Sequence, residues 1–164
     1  MARIDDLEAK LDAALRRIDE LEARAAMRDL VTDYCLGFDT HDWDRFIAIW
    51  HPDAVWDIGP PFGSFSGHDG IHKAVYEVLY PVWRETHHLT SNLRLTFRDV
   101  DHACGVCNVD CMGATRDDVV QMINATYTDE FERRHGVWKI ARRAVTMHYF
   151  NPIPGTRMSP PGAG

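Results

Sequence analysis

No stretch of the 164 residues is both apolar and close to the length of about 20 residues that a bilayer span needs, and the amino terminus lacks the basic and apolar regions of a secretory leader. A cytoplasmic location with no membrane partner is the expectation. Positive charge is also short: 18 Lys and Arg stand against 25 Asp and Glu, a net charge of −7 with a pI near 5.6. Such a field repels nucleic acid and anionic lipid, which leaves a small, largely uncharged ligand as the partner. There is no Gly-rich phosphate loop, no dinucleotide fingerprint, no G-x-S-x-G and no HExxH. Cofactor-dependent chemistry is disfavoured, and neither a cofactor nor a metal is expected. His68 and His72, four apart on a predicted helix, have no obvious third ligand. Cysteine is scarce, and the CxxC of Cys104 and Cys107 lies in a strand-like context with no second CxxC beside it, so small buried apolar residues are the better reading.

What the sequence does hold is a globular balance, 45% hydrophobic and 26% charged, in a length that suits one core. From Ile4 apolar residues recur at Leu7, Leu11, Ala14, Ile18, Leu21 and Ala25 in alternating steps of three and four. This heptad seam predicts a helical extension over residues 1–24 that either packs on another subunit or forms a solvated arm. The helix continues through Met27, Leu30, Val31 and Tyr34, with Gly37 as the expected stop and Asp39 just beyond it. A short helix from His41 to Trp50 follows, capped by Asp42, then a strand from Ala54 to Ile58 and a helix from about Asp69 to Trp83.

Beyond that helix the period changes to two. Four strand-like segments, His87 to Phe97, His102 to Met112, Val119 to Arg133 and Gly136 to Phe150, read as an antiparallel meander. Helices first and then a long meander is the α+β pattern, here over residues 25–152 with an irregular Pro-rich tail at 153–164. Long curved strands against helices form a cone whose concave side is packed solid or is a ligand cavity. Strict alternation puts His88, Thr90, Asn92, Arg94 and Thr96 on one face, and His87, Leu89, Ser91, Leu93, Leu95 and Phe97 on the other, packed face. Alternation does not decide whether the polar face meets solvent or lines a cavity. In the last strand Arg143, Val145, Met147 and Tyr149 share a face, and an arginine among apolar neighbours is costly unless it is paired or used. A general base with a pKa near neutrality points to histidine, and a carboxylate would hold its tautomer. Asp39 with His88 is one candidate pair among the many that nine histidines and 25 acidic residues allow.

The stretch Pro81-Val82-Trp83-Arg84-Glu85-Thr86-His87-His88-Leu89-Thr90-Ser91-Asn92-Leu93-Arg94-Leu95, then Tyr127-Thr128-Asp129-Glu130-Phe131-Glu132-Arg133-Arg134-His135-Gly136-Val137-Trp138-Lys139, resembles the hexachlorocyclohexane dehydrochlorinases. The ending Tyr149-Phe150-Asn151-Pro152 through Pro160-Pro161-Gly162 is similar to theirs as well. That family belongs with scytalone dehydratase and bile-acid 7α-dehydratase among the SnoaL-like, NTF2-like proteins. The resemblance implies an NTF2-like cone, a curved mostly antiparallel sheet closed by amino-terminal helices. It also implies a homotrimer, no cofactor, a catalytic His88 with Asp39 as its dyad partner, and a pocket Arg143. One position departs. Five residues before the aspartate the dehydrochlorinases carry lysine and this chain carries Tyr34, as the bile-acid dehydratases do, and a phenol suits a departing hydroxide that needs a proton.

These readings converge on a lyase that performs β-elimination of HCl or water from a small hydrophobic cyclic substrate. His88 and Asp39 take the proton, Tyr34 and Arg143 attend the leaving group, and Trp43, Phe46, Met147 and Tyr149 form an apolar wall. An isomerase or cyclase using the same base, and a ligand-binding module without catalysis, are the alternatives.

Overall fold

In the first helix the apolar stripe at Ala23, Met27, Val31, Tyr34, Cys35 and Phe38 is buried, because steps of three and four keep these side chains on one face. The computed structural model describes residues 2–156 and residue 158, so the Pro160-Pro161-Gly162 part of the resemblance and most of the Pro-rich tail lie outside the described residues. Helix α1 spans Ala2–Asp39, two residues past the expected stop. His41 at φ 56° ends it instead: the His41 amide donates to the Phe38 carbonyl and the Asp42 amide to that of Gly37, the two bonds of a left-handed helix cap. Gly37 is needed for another reason. A Cβ there would lie 2.8 Å from the backbone nitrogen of Phe46, so the missing side chain lets α2, Trp43–Ala48, cross close to α1. Asp42 then caps α2, its Oδ1 accepting from the Arg45 amide at 3.1 Å, as expected.

Strands β1 (Trp50–Gly59) and β2 (Gly63–Ser66) form a short antiparallel pair, followed by α3 (Gly67–Lys73) and a π-helical turn over Ala74–Leu79. The helix expected to reach Trp83 stops at this turn, and Trp83 opens β3. Strands β3 (Trp83–Phe97), β4 (His102–Thr115), β5 (Val120–Arg134) and β6 (Val137–Pro152) make the meander. The six strands lie in the order β2-β1-β6-β5-β4-β3, all pairs antiparallel except β1 with β6. The sheet stays unclosed, with α1 packed on β3 and β6 across its concave side. This is the expected α+β architecture. Cys104 and Cys107, three apart on β4, face opposite sides of it, and all four cysteines are free thiols.

Two bulges break the alternation on which the sequence reading rested. On β3, Ser91 pairs with Asn108 but Arg94 with Val106, so three steps face two, and Asn92 takes φ 59°. Before this bulge Thr86 and His88 point inward; after it Leu93, Leu95 and Phe97 do. His87 and Leu89 therefore do not share the packed face, and Leu89 is 73% exposed. On β6, Tyr149 pairs with Asn124 but Met147 with Ala125, which makes His148 the extra residue. Tyr149 is turned outward and Phe150 inward.

Gly37→Ala should lower the free energy of unfolding by about 1–3 kcal/mol, since the clash is with fixed backbone and not a flexible side chain. Urea titration of the variant measures it, and an unchanged midpoint would contradict the close crossing.

Candidate active site

Asp39, the last residue of α1, receives three hydrogen bonds from one stretch of β3. Its Oδ1 accepts from His88 Nδ1 at 2.6 Å and from the Thr86 hydroxyl at 2.7 Å, and its Oδ2 accepts from the His88 amide at 2.7 Å. A carboxylate can only accept, so Nδ1 carries the proton and Nε2 is the free position of the ring. The His88 and Asp39 side chains are 11% and 16% exposed. Burial pulls the imidazole pKa down, but the hydrogen bond to Asp39, helped by the neighbouring Cys111, more than offsets this and raises it to about 9. Burial works against the Asp39 carboxylate, yet the bonds from His88 and Thr86 outweigh it and hold its pKa below the usual value.

His88 opens on a cavity on the concave side of the sheet. Trp56, Ile58, Phe62, Leu79, Trp83, Val109, Ile123, Val145, Met147 and Phe150 give it apolar walls; Tyr34, Thr86, Cys111 and Tyr127 supply polar atoms beside His88. Cys111 stands directly opposite His88 across the β3–β4 ladder. Tyr34 and Tyr127 lie edge to face, ring centroids 5.4 Å apart. Burial drives both phenol pKa values upward, although the Arg143 guanidinium pulls them the other way. Both phenols are therefore neutral O–H groups at any working pH.

Arg143 does not line the cavity. Its guanidinium carbon sits 4.2 Å from the Tyr34 ring centroid and 4.3 Å from that of Tyr127, behind the two phenols. Its Nε and one Nη donate to the two carboxylate oxygens of Asp129, each at 2.7 Å, with both side chains fully buried. The other Nη has no hydrogen-bond partner among the described residues. Burial would lower the arginine pKa, but Asp129 outweighs it and the group stays charged.

Of the expected apolar wall, Met147 lines the cavity, while Phe46 lies one layer back against Tyr34 at 5.2 Å. Trp43 packs outside it on His72 and Tyr76, and Tyr149 is turned away by the β6 bulge. Sequence reading missed Thr86, Cys111, Tyr127 and Phe150. Thr86 was within reach, being two residues before His88 on the same face. Among the described residues no group of three His, Cys, Asp or Glu side chains could hold a metal, and no helix is long and apolar enough to cross a membrane. His68 instead bonds the Trp50 carbonyl and His72 stacks on Tyr76.

With this geometry in hand, comparison with known proteins is specific. A SnoaL-like domain model matches residues 19–144, beginning inside α1. Hexachlorocyclohexane dehydrochlorinase 1 of Sphingobium indicum is 39% identical over 147 residues, covering 89% of this chain and 95% of the relative. The gamma-hexachlorocyclohexane dehydrochlorinase of the same species is 36% identical over 88% and 93%. Among solved structures, a type 2 hexachlorocyclohexane dehydrochlorinase superposes with a TM-score of 0.86 at 38% identity, over 89% of this chain and 99% of the other. A scytalone dehydratase-like protein from Novosphingobium aromaticivorans shares the fold at 20% identity, with a TM-score of 0.75 over 90% and 99%.

The His88–Asp39 pair makes stability depend on pH in a defined direction. A pKa raised from 6.5 to about 9 means that the folded state holds the proton more tightly. The contribution, on the order of 3 kcal/mol, is full below pH 6.5 and is lost as the pH rises through about 9. Urea midpoints followed from pH 6 to 10 should fall across this window in the parent protein and stay level in Asp39→Asn; parallel curves would contradict the coupling.

Proposed function

The chain belongs to the SnoaL-like domain family, and on that premise we propose that it is a lyase that eliminates HCl from a chlorinated cyclohexane ring. Nε2 of His88 takes a proton from a ring carbon, the C–H electrons form the C=C bond, and chloride leaves the neighbouring carbon. The imidazolium so formed is held by Asp39, and the neutral phenols of Tyr34 and Tyr127 donate hydrogen bonds to the departing chloride. Because its charge is matched by Asp129, Arg143 acts through the phenol rings that it underlies and is a positioning residue. The observation that carries the reading is an imidazole with Nδ1 fixed on a carboxylate and Nε2 free, in a cavity whose walls are otherwise apolar. No cofactor enters the scheme.

A second reading is dehydration. It is favoured by Tyr34, a phenol where the resemblance leads one to expect lysine, because hydroxide leaves only with a proton and a neutral phenol can supply it. We further propose that the chain works as a homotrimer. The resemblance supports this, and so does the convex face of the sheet, where Leu89, Val106, Met112 and Met122 are exposed.

Incubation with hexachlorocyclohexane isomers should release chloride with loss of HCl from the ring. Water loss from hydroxylated ring substrates instead would replace the first reading by the second. A product of unchanged mass would indicate an isomerase, and ligand recovered intact a binding module. His88→Ala should lower kcat/KM by about 10²–10⁴-fold without unfolding the protein, and near-parent activity would sink the mechanism. The parent kcat/KM should climb about tenfold per pH unit above neutrality and level off near pH 9, where the free enzyme loses the His88 proton. In Asp39→Asn the limb should move to lower pH as the maximum falls, since burial then acts without its main opponent.

A further inference from the structure

The two halves of α1 carry apolar stripes on opposite sides. Counting 100° per residue, the stripe of Met27, Leu30, Tyr34 and Phe38 that packs on the sheet and the seam of Ile4, Leu7, Leu11, Ile18 and Leu21 point roughly half a turn apart. The seam residues, and Leu15 beside them, are between 50% and 60% exposed. Among the described residues the helix is fastened to the body only from Asp19, which pairs with Arg133 at 2.6 Å, and Arg24, which reaches the Leu95 carbonyl at 3.3 Å. Everything before that point projects as a rod about 25 Å long, ahead of the SnoaL-like match. A run of aliphatic side chains at heptad spacing, held out on a continuous helix, is left facing water.

We propose that this segment pairs with the same segment of a second copy of this chain as a parallel, two-stranded coiled coil.

The charges beside the seam select the partner and its direction. With Ile4, Leu11, Ile18 and Ala25 at the first core position of the heptad and Leu7, Ala14 and Leu21 at the second, one flank carries Arg3, Lys10, Arg17 and Arg24, and the other carries Glu8, Leu15 and Glu22. In a parallel pair a residue on the first flank meets the residue five further along on the second flank of its partner. Arg3 then faces Glu8 and Arg17 faces Glu22, each twice by symmetry, and Lys10 lies over Leu15. In an antiparallel pair like flanks meet, which sets arginine against arginine and glutamate against glutamate. The helix is thus complementary to itself in one direction only. Stoichiometry follows from the core: β-branched Ile4 and Ile18 at the first position with Leu7 and Leu21 at the second suit two strands, and Ala14 lets two helices approach closely.

The test compares full-length protein with the double variant Leu11→Glu, Ile18→Glu by light scattering and sedimentation. Both positions are exposed and remote from the cavity, so lyase activity and the thermal transition of the body should be unchanged. With the bodies held as the trimers proposed above, each coil joins an arm of one trimer to an arm of another, so the solution mass should halve to that of a single trimer. A mass equal to that of the parent overturns the proposal, and a fall to one third overturns its two-stranded form. Direction is read from Leu7→Cys under mild oxidation. Cross-linking between Leu7→Cys positions is expected, because parallel strands bring equivalent core positions together. Failure to cross-link in a protein whose mass still halves on Leu11→Glu, Ile18→Glu overturns the parallel arrangement. Charge reversal adds a third reading: Arg3→Glu with Arg17→Glu should separate the copies, and mixing that variant with Glu8→Arg, Glu22→Arg should restore the mass of the parent.

Discussion

A carboxylate at the carboxyl end of a helix is in the wrong place electrostatically, because the last turn already presents the negative end of the peptide dipoles. Asp39 occupies that position and is mostly buried as well. It can be charged there only because β3 delivers an imidazole, a hydroxyl and a backbone amide to its two oxygens. The same three bonds fix the end of α1 against the first strand of the meander, beside the cavity that Thr86 and His88 line. The group that closes the fold is thus the group that orients His88. A change at Asp39 disturbs both, since it leaves the donors on β3 facing an apolar space.

Behind the phenols, Arg143 and Asp129 form a second buried ion pair with a different part to play. His88 has its pKa raised to about 9 by Asp39, whereas the Arg143 guanidinium, held on both oxygens of Asp129, stays charged. The guanidinium lies against the faces of Tyr34 and Tyr127, where the ring quadrupoles favour a cation. This holds the rings without ionising them, because burial outweighs the positive charge. The cavity consequently contains an imidazole whose pKa lies at about 9 and two phenols that keep their protons and can donate them to hydrogen bonds.

The layout of helices followed by a meander was legible because hydrophobic periods of 3.6 and 2 are local properties of the chain. The pairing of Asp39 with His88 was legible only as one candidate among many, since a contact across 49 positions leaves no local trace, and the family resemblance raised it above the rest. Alternation failed where one extra residue entered a strand. The bulge at Asn92 reversed the faces of β3, and the one at His148 exchanged Tyr149 for Phe150 at the cavity. Neither site carries a glycine that would have marked it. Gly37 misled in the opposite sense, being read as a stop when its role is to admit the backbone of Phe46. Phe46 itself lies on the correct side of α2 but one layer too deep, because spacing gives direction and not distance.

A base with a raised pKa carries a contradiction that the cavity resolves. At pH 7 a group of pKa about 9 is neutral in only about one molecule in a hundred, so His88 in water-filled surroundings is mostly imidazolium and cannot accept a proton. Once neutral, however, it is a stronger acceptor than free imidazole, which a weakly acidic carbon-bound proton requires. The surrounding groups divide this problem. Asp39 stabilises the imidazolium and therefore, under the proposed mechanism, the end of proton transfer. The apolar walls act on its beginning, since a nonpolar ring entering against Trp83, Val109 and Phe150 displaces water from Nε2 and disfavours the charged form. Under the proposed mechanism, binding would release the proton that the reaction then takes back, and the ligand able to do this would be one apolar enough to dry the cavity. A hydrated polar ligand would leave His88 charged, so under the proposed mechanism the polarity of the ligand would act through the protonation state of the proposed base.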